Sequence, residues 1–269
     1  MLAAAVQMSS GADRATNEAR ALALVSQAAA KGAQLIALPE MWENIGPASQ
    51  KTFAGPVDGP QLQPLRQLCE KLGIWCLAGS IAERAADGRI YNTSALIARD
   101  GSIAAVYRKL HLFDVYIPDG AVYRESASVA PGPDVPKAVA LMPGLKLGQT
   151  VCYDLRFPEL FRALGADVIC VPAAFTAYTG KAHWEILLRA RAVENQAYVL
   201  APAQVGRIGP ASENRFTWGH SCIIDPWGEV LADAGGEAAG LALAELDPQR
   251  LAQVRRYLPA LQHRRRDLL

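Results

Sequence analysis

Cys152 is the residue in this sequence best placed to act as a nucleophile. It lies in Val151-Cys152-Tyr153-Asp154, where an apolar strand pattern ends, and Phe157-Pro158-Glu159 then begins a helix with proline near its first position. A thiol at such a turn is expected to face the helix N-terminus, whose backbone N–H groups favour a thiolate and can bind an oxyanion. The other four cysteines lie in apolar patterns and fit the alternative of a buried structural thiol. They are Cys69, Cys76, Cys170 and Cys222.

A thiol nucleophile needs a base, and the sequence offers two carboxylates and one lysine at suggestive positions. Glu40 ends a short apolar strand, so we expect it at the mouth of a sheet. Glu125 lies in a long irregular segment, and Lys109 follows a hairpin strand. Taken singly, each of the three is typical of a solvated surface residue. His111 and His220 remain weaker alternatives, because neither lies in a comparably placed motif.

The overall composition excludes several classes of function. The net charge is +1 and 20% of the 269 residues are charged, which provides no basic footprint for nucleic acid or for an anionic membrane. The five cysteines are odd in number and lack C-x-x-C spacing, so we expect no disulfide framework and no metal site. Nucleophilic catalysis by a thiol requires no organic cofactor either.

The ends of the chain carry two further signals. The N-terminal run is apolar without a basic region, and no apolar run approaches bilayer length, so we expect a strand there, no membrane span and a reducing, cytoplasmic location. A basic cluster near the C-terminus is interpreted as a solvated or partner-contacting tail. It consists of Arg255, Arg256, Arg264, Arg265 and Arg266.

The elements that must position these residues alternate along the chain. Strands are expected at 2–8, 34–38, 74–81, 146–152, 168–171, 198–204, 220–225 and 240–245, and helices at 17–31, 62–72 and 183–195. A hairpin with an Asp100-Gly101 turn follows the first three strands. Residues 111 to 136 are interpreted as a long ordered loop.

This alternation predicts an α/β fold in which helical crossovers join the strands. No linker and no clear internal repeat interrupts the chain, so we predict a single domain spanning residues 1–269. About ten strands and a few helices fit two packed sheets, each covered by helices.

Three motifs together resemble the signatures of the carbon–nitrogen hydrolases of the nitrilase superfamily. They are Leu38-Pro39-Glu40, the Arg-Lys-Leu-His-Leu-Phe-Asp run at 108–114, and the Val-Cys-Tyr-Asp-Leu-Arg-Phe-Pro-Glu run at 151–159, in that family's order. The resemblance covers essentially the whole chain. It implies a catalytic triad of Glu40, Lys109 and Cys152, with Glu125 as a second glutamate. It also implies a four-layer α-β-β-α sandwich and a homodimer.

Other stretches are similar to the Nit-type amidases of this superfamily, among them residues 182–195, 219–221 and 258–265. Two activities are typical of that group. One is hydrolysis of deaminated glutathione to 2-oxoglutarate and Cys-Gly, and the other is ω-amidase activity on 2-oxoglutaramate or 2-oxosuccinamate. The segments 204–207 and 262–265 look more like the first. We therefore expect a small-molecule amide that bears carboxylates. A catalytically inactive binding protein on the same fold is the alternative from a different class.

Six residues are candidates for contact with such a substrate. They are Tyr153, Arg156, Phe175, Thr176, Thr179 and Arg207. The backbone N–H of Tyr153, with Lys109, could hold the oxyanion, and Arg156 could clamp a carboxylate unless it pairs internally with Asp154 or Glu159. The segment 175–179 follows a strand end and is placed to line a pocket. Arg207 could meet the far carboxylate of a longer substrate, or be a surface arginine.

Overall fold

The computed structural model describes residues 1–45, 52–118, 122–208, 215–265 and 267. The helices are α1 (Arg14–Ala30), α2 (Gln63–Leu72), α3 (Pro158–Leu164), α4 (Ala177–Asn195) and α5 (Pro248–Tyr257). The strands are β1 (Leu2–Gln7), β2 (Leu35–Ala37), β3 (Trp75–Leu77), β4 (Ile81–Arg84), β5 (Ile90–Ile97), β6 (Ile103–Arg108), β7 (Asp114–Tyr116), β8 (Val122–Arg124), β9 (Val139–Met142), β10 (Leu145–Gln149), β11 (Val168–Cys170), β12 (Tyr198–Ala201), β13 (Val205–Arg207), β14 (Phe216–Trp218), β15 (Cys222–Ile224), β16 (Val230–Asp233) and β17 (Gly240–Glu245).

Two large sheets form the centre of the molecule. The first has the order β17-β1-β2-β3-β5-β4, with β6 paired to β5, and the second has the order β16-β15-β12-β11-β10-β9. In each sheet three neighbouring strands are parallel, β1-β2-β3 in the first and β10-β11-β12 in the second, and antiparallel strands flank them. Parallel neighbours need crossover connections, and α1, α2, α3 and α4 supply them, as the sequence pattern predicts.

Side-chain alternation along the strands places three apolar cores between four layers. In β1, Ala3 and Ala5 face the second sheet, whereas Ala4 and Val6 pack under α1 and α2. In β11, Val168 and Cys170 lie between the sheets, and the alternate residues of that strand pack under α3 and α4. A strand buried on both faces reads as a continuous apolar run, which is the pattern of these segments. The α-β-β-α sandwich is therefore confirmed.

Local signals in the sequence explain where several elements begin and end. Helix α2 ends at Gly73, which adopts a left-handed conformation with φ 63°, and α3 begins with Pro158 at its first position. The predicted hairpin is β5-β6, and its turn has Gly101 at φ 76°. Helix α4 is longer than predicted, because Thr176 caps it seven residues before His183.

Two expectations are wrong. The single strand predicted at 74–81 is two strands, β3 and β4, because Gly79 takes a positive φ of 48° and turns the chain. The predicted loop at 111–136 contains a small antiparallel ribbon, β7-β8, followed by a short 3-10 helix, Glu125–Ala127. Residues 119–121 of that segment lie outside the described residues. A second ribbon, β13-β14, also lies outside the two large sheets.

Candidate active site

Glu40 is held where the first sheet meets the loops after β2 and β3. It follows β2 by three residues. Met41 next to it has a positive φ of 51°, and the Met41 backbone N–H donates to Ser80 Oγ at 3.1 Å. At Gly79 a Cβ atom would lie 1.9 Å from the carbonyl oxygen of Pro39. Only glycine therefore allows the loop after β3 to press against the segment that carries Glu40.

Cys152 lies at a sharp turn after β10 of the second sheet. Its backbone N–H donates to Pro172 O at 2.8 Å, and its own φ is 48°, an uncommon value for a residue other than glycine. It begins a 3-10 helix, Cys152–Arg156, which leads directly into α3. The predicted strand-to-helix turn is thus present, and Cys152 is only 7% exposed.

Lys109 directly follows β6 and connects the two predicted carboxylates. Its ammonium Nζ donates to Glu40 Oε1 at 3.0 Å and to Glu125 Oε2 at 2.8 Å, and Lys109 is 2% exposed. Glu125, at the start of the 3-10 helix after β8, also accepts the backbone N–H of Phe113 at 2.8 Å. Glu40 Oε2 accepts the backbone N–H of Ala174 at 2.9 Å, and Ala174 lies four residues after the end of β11. Residues from both sheets therefore converge.

The charges of this cluster set its protonation. Burial alone would lower the pKa of Lys109, but the carboxylates of Glu125 and Glu40 outweigh it and hold that pKa above the ordinary value. Burial opposes ionisation of Glu125, yet Lys109 and hydrogen bonds from Asn92 and Phe113 lower its pKa. Burial and the negative charge of Glu40 raise the pKa of the Cys152 thiol. Both effects favour the neutral Cys152 thiol, so a nearby base is needed to ionise it.

Sequence reasoning missed Asn92, on β5. Its side-chain Nδ2 donates to Glu40 Oε1 at 2.9 Å and to Glu125 Oε1 at 3.0 Å, and its backbone O accepts the N–H of Lys109 at 2.9 Å. The signal in the sequence is a run of three polar residues, Asn92 to Ser94, inside an otherwise apolar strand. The structure shows that all three are buried.

Sequence reasoning also missed Asp154, a fully buried carboxylate that ties the Lys109 segment to the Cys152 turn. It accepts hydrogen bonds from Tyr107 Oη at 2.7 Å, from Val151 N at 2.9 Å, and from the backbone N–H of His111 at 3.1 Å. The His111 ring Nδ1 also lies 2.8 Å from Asp154 Oδ1. His111 is thus engaged with Asp154, and the other histidine alternative, His220, lies 3.0 Å from an oxygen of Asp233.

The predicted substrate contacts divide into two groups. Arg156 is half-buried, with its guanidinium over the rings of Tyr153 and Phe175 and one nitrogen 3.3 Å from His183 Nδ1. The alternative pairing with Asp154 does not arise, because that carboxylate is taken by the partners already described.

The remaining predicted contacts have these neighbours in the structure. The hydroxyls of Thr176 and Thr179 lie 2.9 Å apart and Thr176 caps α4, so both serve the helix. Phe175 is buried against Trp184. Arg207 is exposed on the β13-β14 ribbon, over the ring of Phe216.

Several other features of the structure lie apart from this cluster. A cavity of about 330 Å³ is lined by Arg162, Gln196, Arg255 and Arg264, among others. Arg255, assigned to the basic tail, pairs with Asp167 at 2.7 Å, and Arg266 lies outside the described residues. Within the described ranges there is no grouping of three acidic, histidine or cysteine side chains suited to a metal ion, and no helix long and apolar enough for a bilayer. All five cysteines are free thiols.

The sequence is similar to a hydrolase family model and to known amidases. The family model described as carbon-nitrogen hydrolase matches residues 2–256. The chain is 47% identical over 269 residues to the deaminated glutathione amidase of Synechocystis sp., covering 98% of this chain and 97% of that one. It is 41% identical over 259 residues to the omega-amidase NIT2-A of Xenopus laevis, covering 95% and 91%.

Solved structures agree with these relatives. Saccharomyces cerevisiae Nit3, a member of branch 10 of the nitrilase superfamily, superposes with a TM-score of 0.87 at 30% identity, covering 98% of this chain and 96% of that one. A mutant of the amidase from Nesterenkonia sp. AN1 has a TM-score of 0.80 at 27% identity, covering 100% and 95%. That structure shows covalent addition of the acetamide moiety of fluoroacetamide at its active site cysteine.

Proposed function

The chain belongs to the carbon–nitrogen hydrolase family and is an amidase, and from that premise we propose that it hydrolyses deaminated glutathione through a thioester on Cys152. One observation carries the proposal. Glu40, whose negative charge acts on the Cys152 thiol, shares the buried ammonium of Lys109 with Glu125. Nucleophile, base and cation thus occupy one buried cluster.

The acylation half-reaction uses each of these groups. Glu40 takes the proton of the Cys152 thiol while the sulfur bonds to the amide carbon, which moves negative charge onto the carbonyl oxygen. An ammonium has three N–H donors, and Lys109 directs two of them to carboxylates, so the third is available for the oxyanion together with the backbone N–H of Tyr153. Loss of one such donor costs about 3 kcal/mol of barrier. Glu40 then returns the proton to the nitrogen as the C–N bond breaks.

The second half-reaction releases the acid. Water attacks the thioester carbon with Glu40 or Glu125 as base, the C–S bond breaks, and the Cys152 sulfur recovers a proton. Glu125 accepts hydrogen bonds from Lys109, Asn92 and the backbone of Phe113, which favours a role in orienting Lys109. For deaminated glutathione the amine product is Cys-Gly and the acid is 2-oxoglutarate.

The substrate preference rests on the relatives and on Arg156. The relative named deaminated glutathione amidase is 47% identical, against 41% for the omega-amidase. Arg156 lies near the turn that bears Cys152, between two aromatic rings and beside His183, and its fork suits a substrate carboxylate. Arg207 is the candidate for the far carboxylate of the longer substrate, and ω-amidase activity on 2-oxoglutaramate is the second candidate function.

A product assay tests the assignment. The enzyme is incubated separately with deaminated glutathione and with 2-oxoglutaramate, and Cys-Gly and ammonia are measured. We expect the higher kcat/KM for deaminated glutathione, an acyl adduct on Cys152 in intact-protein mass spectrometry, and no turnover by Cys152→Ala. A higher kcat/KM for 2-oxoglutaramate would transfer the proposal to ω-amidase. Full activity of Cys152→Ala would remove the nucleophile assignment itself.

We also propose a homodimer formed through the outer face of α4. Ile186 and Val193 lie seven residues apart on that helix and are 67% and 47% exposed, and Trp227 beside them is 55% exposed. The loop that carries Trp227 contacts the helix, since Arg189 Nε donates to Gly228 O at 2.9 Å. An apolar patch of this kind on a helix layer suits a second copy of the chain.

Sedimentation of a charged variant tests the dimer. Ile186→Asp should give monomers at micromolar concentration while the wild type sediments as a dimer. The control Val135→Asp changes a residue that is 52% exposed on another segment and should leave the dimer intact. A monomeric wild type would contradict the proposal.

Two further proposals concern organisation and location. We propose one domain over residues 1–269, supported by the pairing of β1 with β17 and the hydrogen bond from the Met1 amino group to Leu246 O. A single cooperative unfolding transition is expected. We also propose a cytoplasmic location, supported by five free thiols, and cell fractionation tests it.

A further inference from the structure

Asn92 touches every charged member of the proposed catalytic cluster. Its single Nδ2 donates to both carboxylates, and its backbone O accepts the N–H of Lys109. It lies on β5, between β4 and β6, and is 2% exposed. No other described side chain donates to both Glu40 and Glu125 apart from Lys109 itself.

The orientation of the Asn92 amide is fixed by these charges. If the amide were reversed, its oxygen would face two carboxylate oxygens instead of donating to them. In the observed orientation Oδ1 is buried and has no hydrogen-bond partner among the described residues. An unpartnered buried acceptor destabilises a fold. The Asn92 side chain therefore donates to the two carboxylates although its unpartnered oxygen lowers the stability of the folded protein.

Asn92 offsets the electrostatic repulsion between the two carboxylates. Glu40 and Glu125 share one ammonium, and two carboxylates beside each other tend to retain a proton between them. A retained proton would remove the base that Cys152 needs. The two N–H groups of Asn92 favour the ionised form of both acids without adding a second charge.

We propose that Asn92 is a positioning residue that keeps Glu40 and Glu125 ionised together beside Lys109, so that Glu40 can accept the Cys152 proton at neutral pH. This inference rests on the proposed function, since it assumes Glu40 as the base. The charged residues that contact Asn92 are Glu40, Glu125 and Lys109, and the charge of Glu40 in turn acts on the Cys152 thiol. On the neighbouring strands Glu83 and Arg108 pair with each other at 2.7 Å.

The test uses a reaction that needs no substrate. Iodoacetamide forms an S–C bond with Cys152 and releases iodide, while the thiol proton passes to the base. The alkylation rate is followed by intact-protein mass spectrometry from pH 5 to pH 9, with Cys152→Ala as the blank. In Asn92→Leu, which keeps the branching of the side chain and removes both donors, the acid-side inflection should move up by about one pH unit. The rate below the inflection should then fall about tenfold and recover at high pH.

A matched control lies one residue along the same strand. Thr93 is fully buried and donates to the Glu83 carboxylate at 2.7 Å, so Thr93→Val also removes a hydrogen bond from a buried carboxylate. It should leave the inflection unchanged. If Asn92→Leu does not fold, Asn92→Ala is measured instead, and thermal unfolding verifies that each variant is native.

The outcomes separate the two proposals. An inflection that does not move, or a rate lowered by one factor at every pH, overturns the role of Asn92 and leaves the amidase assignment untouched. A wild type in which Cys152 shows no alkylation above the blank overturns both. In the amide assay Asn92→Leu should lower kcat on the acid side of the same inflection with little change in KM, because the residue does not touch substrate.

Discussion

Replacing Lys109 by methionine should destabilise the protein in a way that depends on pH. Lys109 is 2% exposed and lies 3.0 Å and 2.8 Å from oxygens of Glu40 and Glu125. Methionine keeps an unbranched side chain and removes the charge, which leaves two buried carboxylates facing each other. Breaking a buried ion pair by removing one partner costs about 3–5 kcal/mol. We expect a loss of that size in the free energy of unfolding at pH 8.

The sign of the pH dependence follows from the two carboxylates. In the wild type the pKa of Glu125 is lowered, because the charge of Lys109 outweighs the effect of burying the carboxyl group. The ionised Glu125 therefore contributes to stability above the unfolded pKa of about 4.3. Without Lys109, burial and the like charge of Glu40 raise the pKa of one carboxyl above that value. The folded variant then binds a proton that the unfolded chain lacks, and its stability rises as pH falls. Each unit of raised pKa contributes about 1.4 kcal/mol.

Urea denaturation at pH 8 and pH 5 measures this difference. Tryptophan fluorescence reports unfolding, since the chain has five tryptophans, and protein concentration is held constant because dimerisation shifts apparent stability. The gap between wild type and Lys109→Met should shrink by at least about 1.4 kcal/mol at pH 5. Lys71→Met, at an exposed position on α2, is the control. Adding Glu125→Gln to Lys109→Met should restore part of the loss at pH 8. A gap equal at both pH values would refute the reasoning.

Two further substitutions follow from buried carboxylates. Asp154→Asn should lower the free energy of unfolding by about 2–4 kcal/mol, because an amide cannot accept all the hydrogen bonds that this fully buried carboxylate accepts. Urea denaturation measures the loss. A loss below about 0.5 kcal/mol, which is typical of a surface substitution, would contradict the prediction. Glu43 pairs with Arg14 at 2.8 Å, but burial raises its pKa to about 7, so the folded state binds a proton that the unfolded chain releases above about 4.3. Glu43→Gln should therefore gain stability relative to wild type as pH rises from about 5 to 7, levelling above that, and a pH-independent difference would exclude this titration.

The layered fold could be predicted because each layer leaves a periodic signal. The strand at 2–8 is apolar throughout, since Ala3 and Ala5 face one core and Ala4 and Val6 another. The split between β3 and β4 could not be predicted in the same way. It depends on a positive φ at Gly79 and on contact with the Pro39 carbonyl, and neither affects apolar periodicity.

The candidate site shows a similar division. Glu40 and Cys152 each follow a parallel strand, and the carboxyl end of such a strand is where an α/β sheet presents functional side chains. Asn92 and Asp154 could not be assigned, because a polar residue in one sequence gives no sign of whether water or a buried carboxylate is its partner. Their roles depend on contacts with segments 33 to 52 residues away.

The interface between the two sheets determines whether this chemistry can occur. Glu40, Asn92 and Lys109 come from the first sheet, whereas Cys152 and the Ala174 N–H come from the second. Glu40 and Cys152 are distant along the chain, so the packing of the core between the two sheets determines how they are placed relative to each other. Leu77 and Leu200 are among the side chains of that core. Interiors of this density transmit small volume changes as shifts of whole elements. Since a displacement of about 1 Å at reacting atoms can cost a hundredfold in rate, the apolar core between the sheets acts as a determinant of activity as well as of stability.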